Sequence, residues 1–174
     1  MPLLIALAIS IGILAVLATW LVLVPLAALG FQIWQVFIAW ASHYHCGGKV
    51  AGARTTVLCM SFGAIVGVLS VMLIGQLGGL GALAAPIAVG LGAASIVLAA
   101  HIGLLSAIPA SVYGFASVAG LILLKGVDPA QALLPTIGSI VLGAVFGYAS
   151  EAIAGVMTQS SPANDGAPRA PSAG

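Results

Sequence analysis

Two histidines and a cysteine stand close together in one short segment of the chain: His43, His45 and Cys46. Imidazole and thiolate groups are ligands for Zn²⁺ and other borderline metals. On a helix, however, only His43 and Cys46 share a face, and a complete site needs more ligands than this segment supplies. Two other interpretations stay open: an aromatic and histidine belt at a membrane interface, or a pore mouth whose imidazoles exchange hydrogen bonds with a solute. We expect neither a bound metal nor another cofactor.

Two segments combine polar and aromatic side chains with apolar surroundings. One covers residues 32–45, and the other, 108–117, places a proline among hydroxyl groups. A proline inside a membrane helix frees a backbone carbonyl, and helices broken in this way often line cavities. The two segments together predict a path for a solute. Its expected lining residues are Trp34, Gln35, Trp40, Ser42, His43, His45, Pro109, Ser111, Tyr113 and Ser117.

Catalytic groups are scarce in this chain. It has 3 acidic residues, and no pair of carboxylates falls within one apolar segment. Acid–base catalysis therefore has few groups to use, and we expect no enzymatic activity. Glu151 lies within an apolar run, where a carboxylate either faces a cavity or partner, or reaches the headgroups as an anchor.

The composition places the chain in a membrane. Only 4% of its residues are charged, 62% are hydrophobic, and the mean hydropathy is +1.28. A soluble domain has about 25% charged residues because its surface faces water. Long unbroken apolar runs favour helices over a barrel, whose strands would alternate polar and apolar residues. The lipid bilayer is therefore an expected partner, and the net charge of +1 gives no reason to expect nucleic acid.

Six apolar segments predict about six transmembrane helices joined by short connections. They cover residues 3–24, 26–45, 55–75, 83–100, 102–124 and 130–157. The predicted fold is an all-α, polytopic membrane protein with one transmembrane domain over residues 1–158. Residues 159–174, rich in Ser, Pro, Ala and Gly, are expected to form a disordered polar tail.

The two halves of this domain, 1–78 and 79–158, share short sequence matches. Three matches are eighty positions apart: residues 63–67 resemble 143–147, residues 9–12 resemble 89–92, and Thr56 matches Thr136. A fourth match is seventy-five positions apart, since residues 39–42 resemble 114–117. Because each half has three helices, the second would enter the membrane upside down, which predicts a 3+3 inverted repeat with a solute site between the halves. The alternative is coincidence in a chain rich in glycine and alanine. The Gly-xxx-Gly pairs are expected to be helix-packing positions first.

Basic residues set the expected orientation. Lys49 and Arg54 flank the second connection and Arg169 lies in the tail, whereas Lys125 falls in another connection. The positive-inside rule then places the N-terminus and the C-terminus in the cytoplasm.

Several segments carry a resemblance to a known family. They are residues 5–14, the segment from Ala39-Trp40-Ala41-Ser42 to Gly47-Gly48-Lys49, residues 105–109, and the segment from Leu134-Pro135 to Phe146-Gly147-Tyr148. In these the chain resembles the small bacterial inner-membrane proteins grouped as domain of unknown function 1097. The resemblance implies a multi-helix protein of the bacterial inner membrane, and it supplies no activity.

Together these features predict a homo-oligomeric channel or facilitator for a small neutral or weakly charged solute. A strongly charged substrate would lack counter-ions in so uncharged a chain. One alternative is a non-transporting assembly or sensor subunit that packs against other proteins through its glycine stripes. A second alternative is a metal-ion transporter that uses His43, His45 and Cys46.

Overall fold

The computed structural model describes residues 1–159 as a bundle of six α-helices, with no β-strand in that part of the chain. The all-helical prediction is thereby confirmed. The helices are α1 (Leu3–Leu23), α2 (Ile33–His45), α3 (Lys49–Gln76), α4 (Ala84–Ala99), α5 (Ile108–Lys125) and α6 (Pro129–Gln159). The predicted tail lies outside the described residues, apart from Gln159, at which α6 ends.

Five of the helical stretches are long and apolar enough to cross a membrane, whereas α2 is not. Its 13 residues extend about 20 Å, which is shorter than a bilayer core of about 30 Å. The predicted second segment loses its first part because the chain turns there, through Pro25 and a left-handed Gly30 with φ of 72°. The helix begins only after Gln32, whose backbone N–H donates to the hydroxyl of Ser139 on α6. Five helical stretches rather than six therefore reach the length of a span, and that of α4 includes the short 3₁₀ turn before it, from Gly78 to Ala99.

The fifth helix also begins later than predicted, at Ile108 instead of residue 102. Pro109 lies in its first turn, where a missing N–H costs nothing because that donor has no partner within the helix. The prediction that Pro109 breaks a helix within the span is therefore wrong, because this proline lies at the start of the helix. Residues 102–107 form a turn that includes a short 3₁₀ segment, Gly103–Leu105.

The centre of the bundle is formed by α3 and α6, which pack on each other and on the remaining helices. Helix α3 makes its most extensive contact with α5, and α6 makes its own with α2. Both contacts depend on glycine. A Cβ at Gly63 would overlap the backbone carbonyl of Ser111, and one at Gly143 would overlap that of Val36. The two Gly-xxx-Gly pairs are therefore close helix crossings, as their spacing predicts.

These close contacts occur in matched sets. Each contact between α3 and α5 has a counterpart between α6 and α2. The α6 residue stands eighty positions after the α3 residue, and the α2 residue stands seventy-five positions before the α5 residue. The matched contacts are Gly63–Ser111 with Gly143–Val36, and Gly67–Val118 with Gly147–His43. The same two shifts are those of the sequence matches in these helices.

The outer helices α1 and α4 follow the pattern less closely. Each packs on a central helix, α1 on α6 and α4 on α3. Gly12 and Gly92, which the sequence comparison pairs, lie in different environments. Nothing lies within 4 Å of a Cβ at Gly12, whereas Gly92 is packed against Ser70 and Phe115.

The bundle has two distinct ends. At the first, called the Lys49 end, α2 ends and α3 begins, and the start of α1 lies near Glu151 of α6. At the second, called the Lys125 end, α5 ends and the Lys125 ammonium group donates to the side-chain oxygen of Gln32. Large apolar side chains cover the outside between these ends, as lipid contact requires; Leu124, for example, is 87% exposed.

Candidate functional site

Gln35 of α2 links three helices at the Lys125 half of the bundle. Its side chain is fully buried, and its Nε2 donates to the backbone oxygen of Ser117 on α5, 2.9 Å away, and to Oγ1 of Thr136 on α6, 3.1 Å away. A backbone carbonyl can only accept, so the amide nitrogen must be the group that faces Ser117. The side-chain oxygen of Gln35 therefore points elsewhere, and it has no hydrogen-bond partner.

A second buried polar contact lies nearer the Lys49 end. The hydroxyl of Ser42 on α2 lies 3.2 Å from that of Thr56 on α3, and both side chains are fully buried. Thr56 stands eighty positions before Thr136, and Ser42 stands seventy-five before Ser117. The serine and the threonine at one polar contact therefore match those at the other by position in the sequence, whereas Gln35 is present at the second contact alone.

Unpaired polar atoms concentrate on the two middle helices. Within residues 1–158, five buried side-chain nitrogen or oxygen atoms lack a hydrogen-bond partner, and four of them belong to α2 or α5. They are Oε1 of Gln35, Nδ1 of His43 and the hydroxyl oxygens of Ser61, Ser111 and Ser117, of which Ser61 alone lies on α3. The Ser111 hydroxyl has the thiol of Cys59 nearby, but not in hydrogen-bonding geometry. Each such atom costs about 1–3 kcal/mol, so the presence of four of them on these two helices requires an explanation.

The two tryptophans predicted to line the path, Trp34 and Trp40, face different neighbouring helices. Trp34 covers α5, since its ring tip would lie 3.2 Å from a Cβ at Gly120. Trp40 instead packs with Ala18 of α1 and Phe146 of α6, and its indole nitrogen donates to Ser150, 2.9 Å away. It is 4% exposed, and its packing partners lie on α1 and α6, so its side chain faces away from the contact between α2 and α5.

At the Lys49 half, α2 and α5 are separated by two adjoining clefts. One, of about 330 Å³, is lined by Ile38, Ala41, His45, Tyr113 and Ala116. The other, of about 220 Å³, is lined by His45, Cys46, Ala107, Pro109 and Ala110. His45 contributes to both, and its Nδ1 lies 2.9 Å from the hydroxyl of Tyr113. These clefts bring together three predicted path residues: His45, Pro109 and Tyr113.

His43 has a different role from the one expected of a metal ligand. Its Nε2 lies 2.9 Å from Oε2 of Glu151, and the same oxygen accepts the backbone N–H of Lys49 at 2.6 Å. Glu151 thus joins α2 to α6 and satisfies a free donor at the start of α3. His45 contacts Tyr113, and the Cys46 thiol lies 3.9 Å from the Ser42 hydroxyl. No group of three or more His, Cys, Asp or Glu residues in the described chain could hold a metal ion.

Three partners on the central helices were not predicted as site residues. Thr56, Thr136 and Ser150 supply hydroxyl groups to Ser42, Gln35 and Trp40. Thr56 and Thr136 carried a usable signal, because they match at the distance that relates the two central helices. Ser150 follows Ser70 at the same distance.

A family model described as "Protein of unknown function (DUF1097)" matches residues 8–155 of the chain. The match includes the six helices except for the first residues of α1 and the last of α6. No curated protein and no solved structure matches the chain.

Proposed function

The chain belongs to the DUF1097 family of unknown function, and we propose that it lets a small neutral or weakly charged solute cross the membrane between α2 and α5. The proposal is passage without covalent change. The solute would enter from the clefts at the Lys49 half and leave past Gln35 and Ser117.

The observation that carries this proposal is the set of unpaired polar atoms on α2 and α5. In lipid, a buried polar group has no water to replace a missing partner, so such atoms are kept at a cost. A solute between the two helices would supply the partner. Because the Gln35 amide nitrogen is already committed, the oxygen that remains is an acceptor. We therefore expect a solute that donates N–H or O–H hydrogen bonds, such as a small amide, urea or ammonia.

The passage is closed at the Lys125 half in the conformation described. Gln35 and Ser117 are fully buried, so no water-sized molecule reaches them. Opening requires α2 to move away from α5 at the hydrogen bond between Gln35 and Ser117. We infer that the clefts and the closed half are two ends of one path, open at one end at a time.

We further propose that residues 1–78 and 79–158 form an inverted repeat, which gives such movement a structural basis. The matched glycine contacts and the matched Ser–Thr positions support this proposal. In transporters built from inverted repeats, the two halves exchange conformations when the binding site closes to one side of the membrane and opens to the other. The Lys49 half would then close as the Lys125 half opens.

The proposed location is the bacterial inner membrane, with both termini in the cytoplasm. The start of α1 and the end of α6 lie together at the Lys49 end, beside Lys49 and Arg54, which the positive-inside rule places in the cytoplasm. A membrane-impermeant maleimide tests this, because Cys46 lines a cleft at that end while Cys59 is buried. We expect faster labelling of Cys46 in inverted vesicles than in right-side-out ones. The reverse order would contradict the orientation.

Flux into proteoliposomes tests the transport proposal directly. Urea, formamide, ammonia, a short weak acid and water should be compared with empty liposomes. We expect at least one donor-bearing solute to pass faster with the protein present, and Ser117→Ala to change that rate. The matched control is Ser95→Ala, which removes an exposed hydroxyl on α4 that bonds only to its own helix. Equal effects of the two variants would contradict the path.

The homo-oligomer predicted from the sequence remains part of the proposal, with the path inside each subunit. Sizing in nanodiscs gives the number of subunits. A protein that moves none of the solutes and purifies with a stoichiometric partner would instead be an assembly subunit.

A further inference from the structure

Two large grooves at the Lys49 end lie outside the proposed solute path. The first, of about 640 Å³, is bounded by α1, α6 and the ends of α2 and α3. The second, of about 590 Å³, runs between α3 and α6 on the outside of the bundle. Val50 and Tyr148 line both grooves, so the two are neighbours separated by these side chains.

The walls of both grooves are mostly hydrocarbon. Leu3, Leu7 and Val156 line the first. The second is lined by Val57, Leu58, Leu104, Val141, Ala144 and Val145. From Val50 to Leu58 it follows α3 for about 12 Å, which is over a third of a bilayer core of about 30 Å. Grooves of this composition and direction fit acyl chains.

A basic side chain stands in each groove. Lys49 lines the first and Arg54 lines the second. Both side chains are exposed, and Arg54 forms no hydrogen bond or ion pair with any other residue in 1–158. Helical side chains lean toward the helix N-terminus, so the guanidinium group is directed back toward the level of Lys49.

The depth of these residues matches that of lipid headgroups. Helix α3 has 28 residues and extends about 42 Å, so it is longer than the hydrocarbon core by about 12 Å. Its first turns, which carry Lys49 and Arg54, can therefore reach the interface. The rim of the grooves also contains Glu151, whose Oε2 is occupied by His43 and the Lys49 backbone. Two basic groups and one acidic group leave a single positive charge at the rim.

We propose that one anionic glycerophospholipid binds here, with an acyl chain in each groove and its phosphate between Lys49 and Arg54. A guanidinium group holds a phosphate through two parallel hydrogen bonds, and the phosphate gives Arg54 a partner that residues 1–158 do not supply. The single excess charge at the rim complements a headgroup with one negative charge. This site is independent of solute passage.

Lipid retention by the purified full-length chain tests the site. The protein is placed in nanodiscs that contain phosphatidylglycerol and phosphatidylcholine, extracted in mild detergent and examined by native mass spectrometry. We expect retained phosphatidylglycerol in preference to phosphatidylcholine. Arg54→Gln should reduce that retention about tenfold, the effect of losing a charge-assisted hydrogen bond. The control Lys125→Gln removes a basic side chain at the other end and should retain the lipid.

A second variant tests the groove apart from the charge. Val145 is 57% exposed on the wall of the second groove, so Val145→Trp should fill the space without altering the core. We expect it to displace phosphatidylglycerol with Arg54 still present. The proposal is wrong if the two charge variants lose equal amounts of lipid, if both lipids are retained equally, or if Val145→Trp changes nothing. It is also wrong if that variant instead separates a dimer, since a second copy of the chain would then occupy the groove.

Discussion

Replacing Gly63 by alanine should destabilise the bundle more than any other single methyl group added to α3. The new Cβ would overlap the carbonyl oxygen of Ser111 and lie 2.6 Å and 2.9 Å from its carbonyl carbon and Cα. Ordinary carbon contacts are about 3.5–4.0 Å, so α3 and α5 would have to separate by about 1 Å. No side-chain rotation can relieve the clash, because the obstructing atoms belong to backbone.

The expected cost follows from two opposing effects. Forcing a methyl group into a well-packed contact costs about 1–3 kcal/mol, and alanine regains up to about 1 kcal/mol over glycine in helix propensity. We therefore expect Gly63→Ala to lower the free energy of unfolding by about 1–2 kcal/mol. Gly143→Ala should do the same, since its Cβ would lie 2.7 Å from the Cβ of Ala39 besides overlapping a carbonyl.

Reversible unfolding in mixed detergent micelles, followed by circular dichroism, provides the measurement. Gly12→Ala is the control, because nothing lies within 4 Å of its Cβ and its helix propensity improves. It should leave stability unchanged or slightly raised. If Gly63→Ala and Gly12→Ala unfold at the same detergent concentration, α3 and α5 do not approach as closely as described here.

Three further predictions concern the polar contacts. Thr136→Val should cost about 1 kcal/mol, because the amide of Gln35 loses one of its two acceptors. The control Thr55→Val, at a half-buried position of α3 in the other half of the bundle, should cost less in the same unfolding assay. Trp40→Phe should cost about 1 kcal/mol through the lost indole hydrogen bond while ring stacking persists, which near-ultraviolet circular dichroism would show as retained tertiary structure. Glu151→Ala should expose the start of α3 and speed tryptic cleavage after Lys49. Glu151→Gln can still accept the backbone N–H of Lys49, so it should be cleaved more slowly than Glu151→Ala. Equal cleavage of both variants would show that Glu151 does not hold this turn.

Much of the fold could be predicted because lipid imposes one strong rule on the sequence. Long apolar runs must be helical, and their positions follow from composition. Helix ends were harder, since they depend on local backbone conformation. Pro109 illustrates the difficulty: a proline fits equally well in the first turn of a helix or as a break within one, and hydropathy does not distinguish the two.

The contents of the site were predicted only in part, because hydropathy does not reveal which face of a helix meets which neighbour. Gln35 and Ser117 were both expected on the path, and they do meet through a hydrogen bond. Trp40 was expected there too, yet it faces α1 and α6. Helices in lipid bury small and polar residues as readily as large apolar ones, so a polar side chain on a middle helix gives no direction by itself.

The two ends of the bundle differ in a way that bears on how it would open. Counterparts of His43 and Glu151 under the shifts of seventy-five and eighty are Val118 and Val71. The Lys49 end therefore has a hydrogen bond between α2 and α6 at the position where the Lys125 end has two valines. A hydrogen bond fixes the distance and direction between its two groups, whereas apolar surfaces can slide past each other. Under the proposed function, opening at the Lys125 end would then separate α5 from α2, at the bond between Gln35 and Ser117, and leave α2 attached to α6.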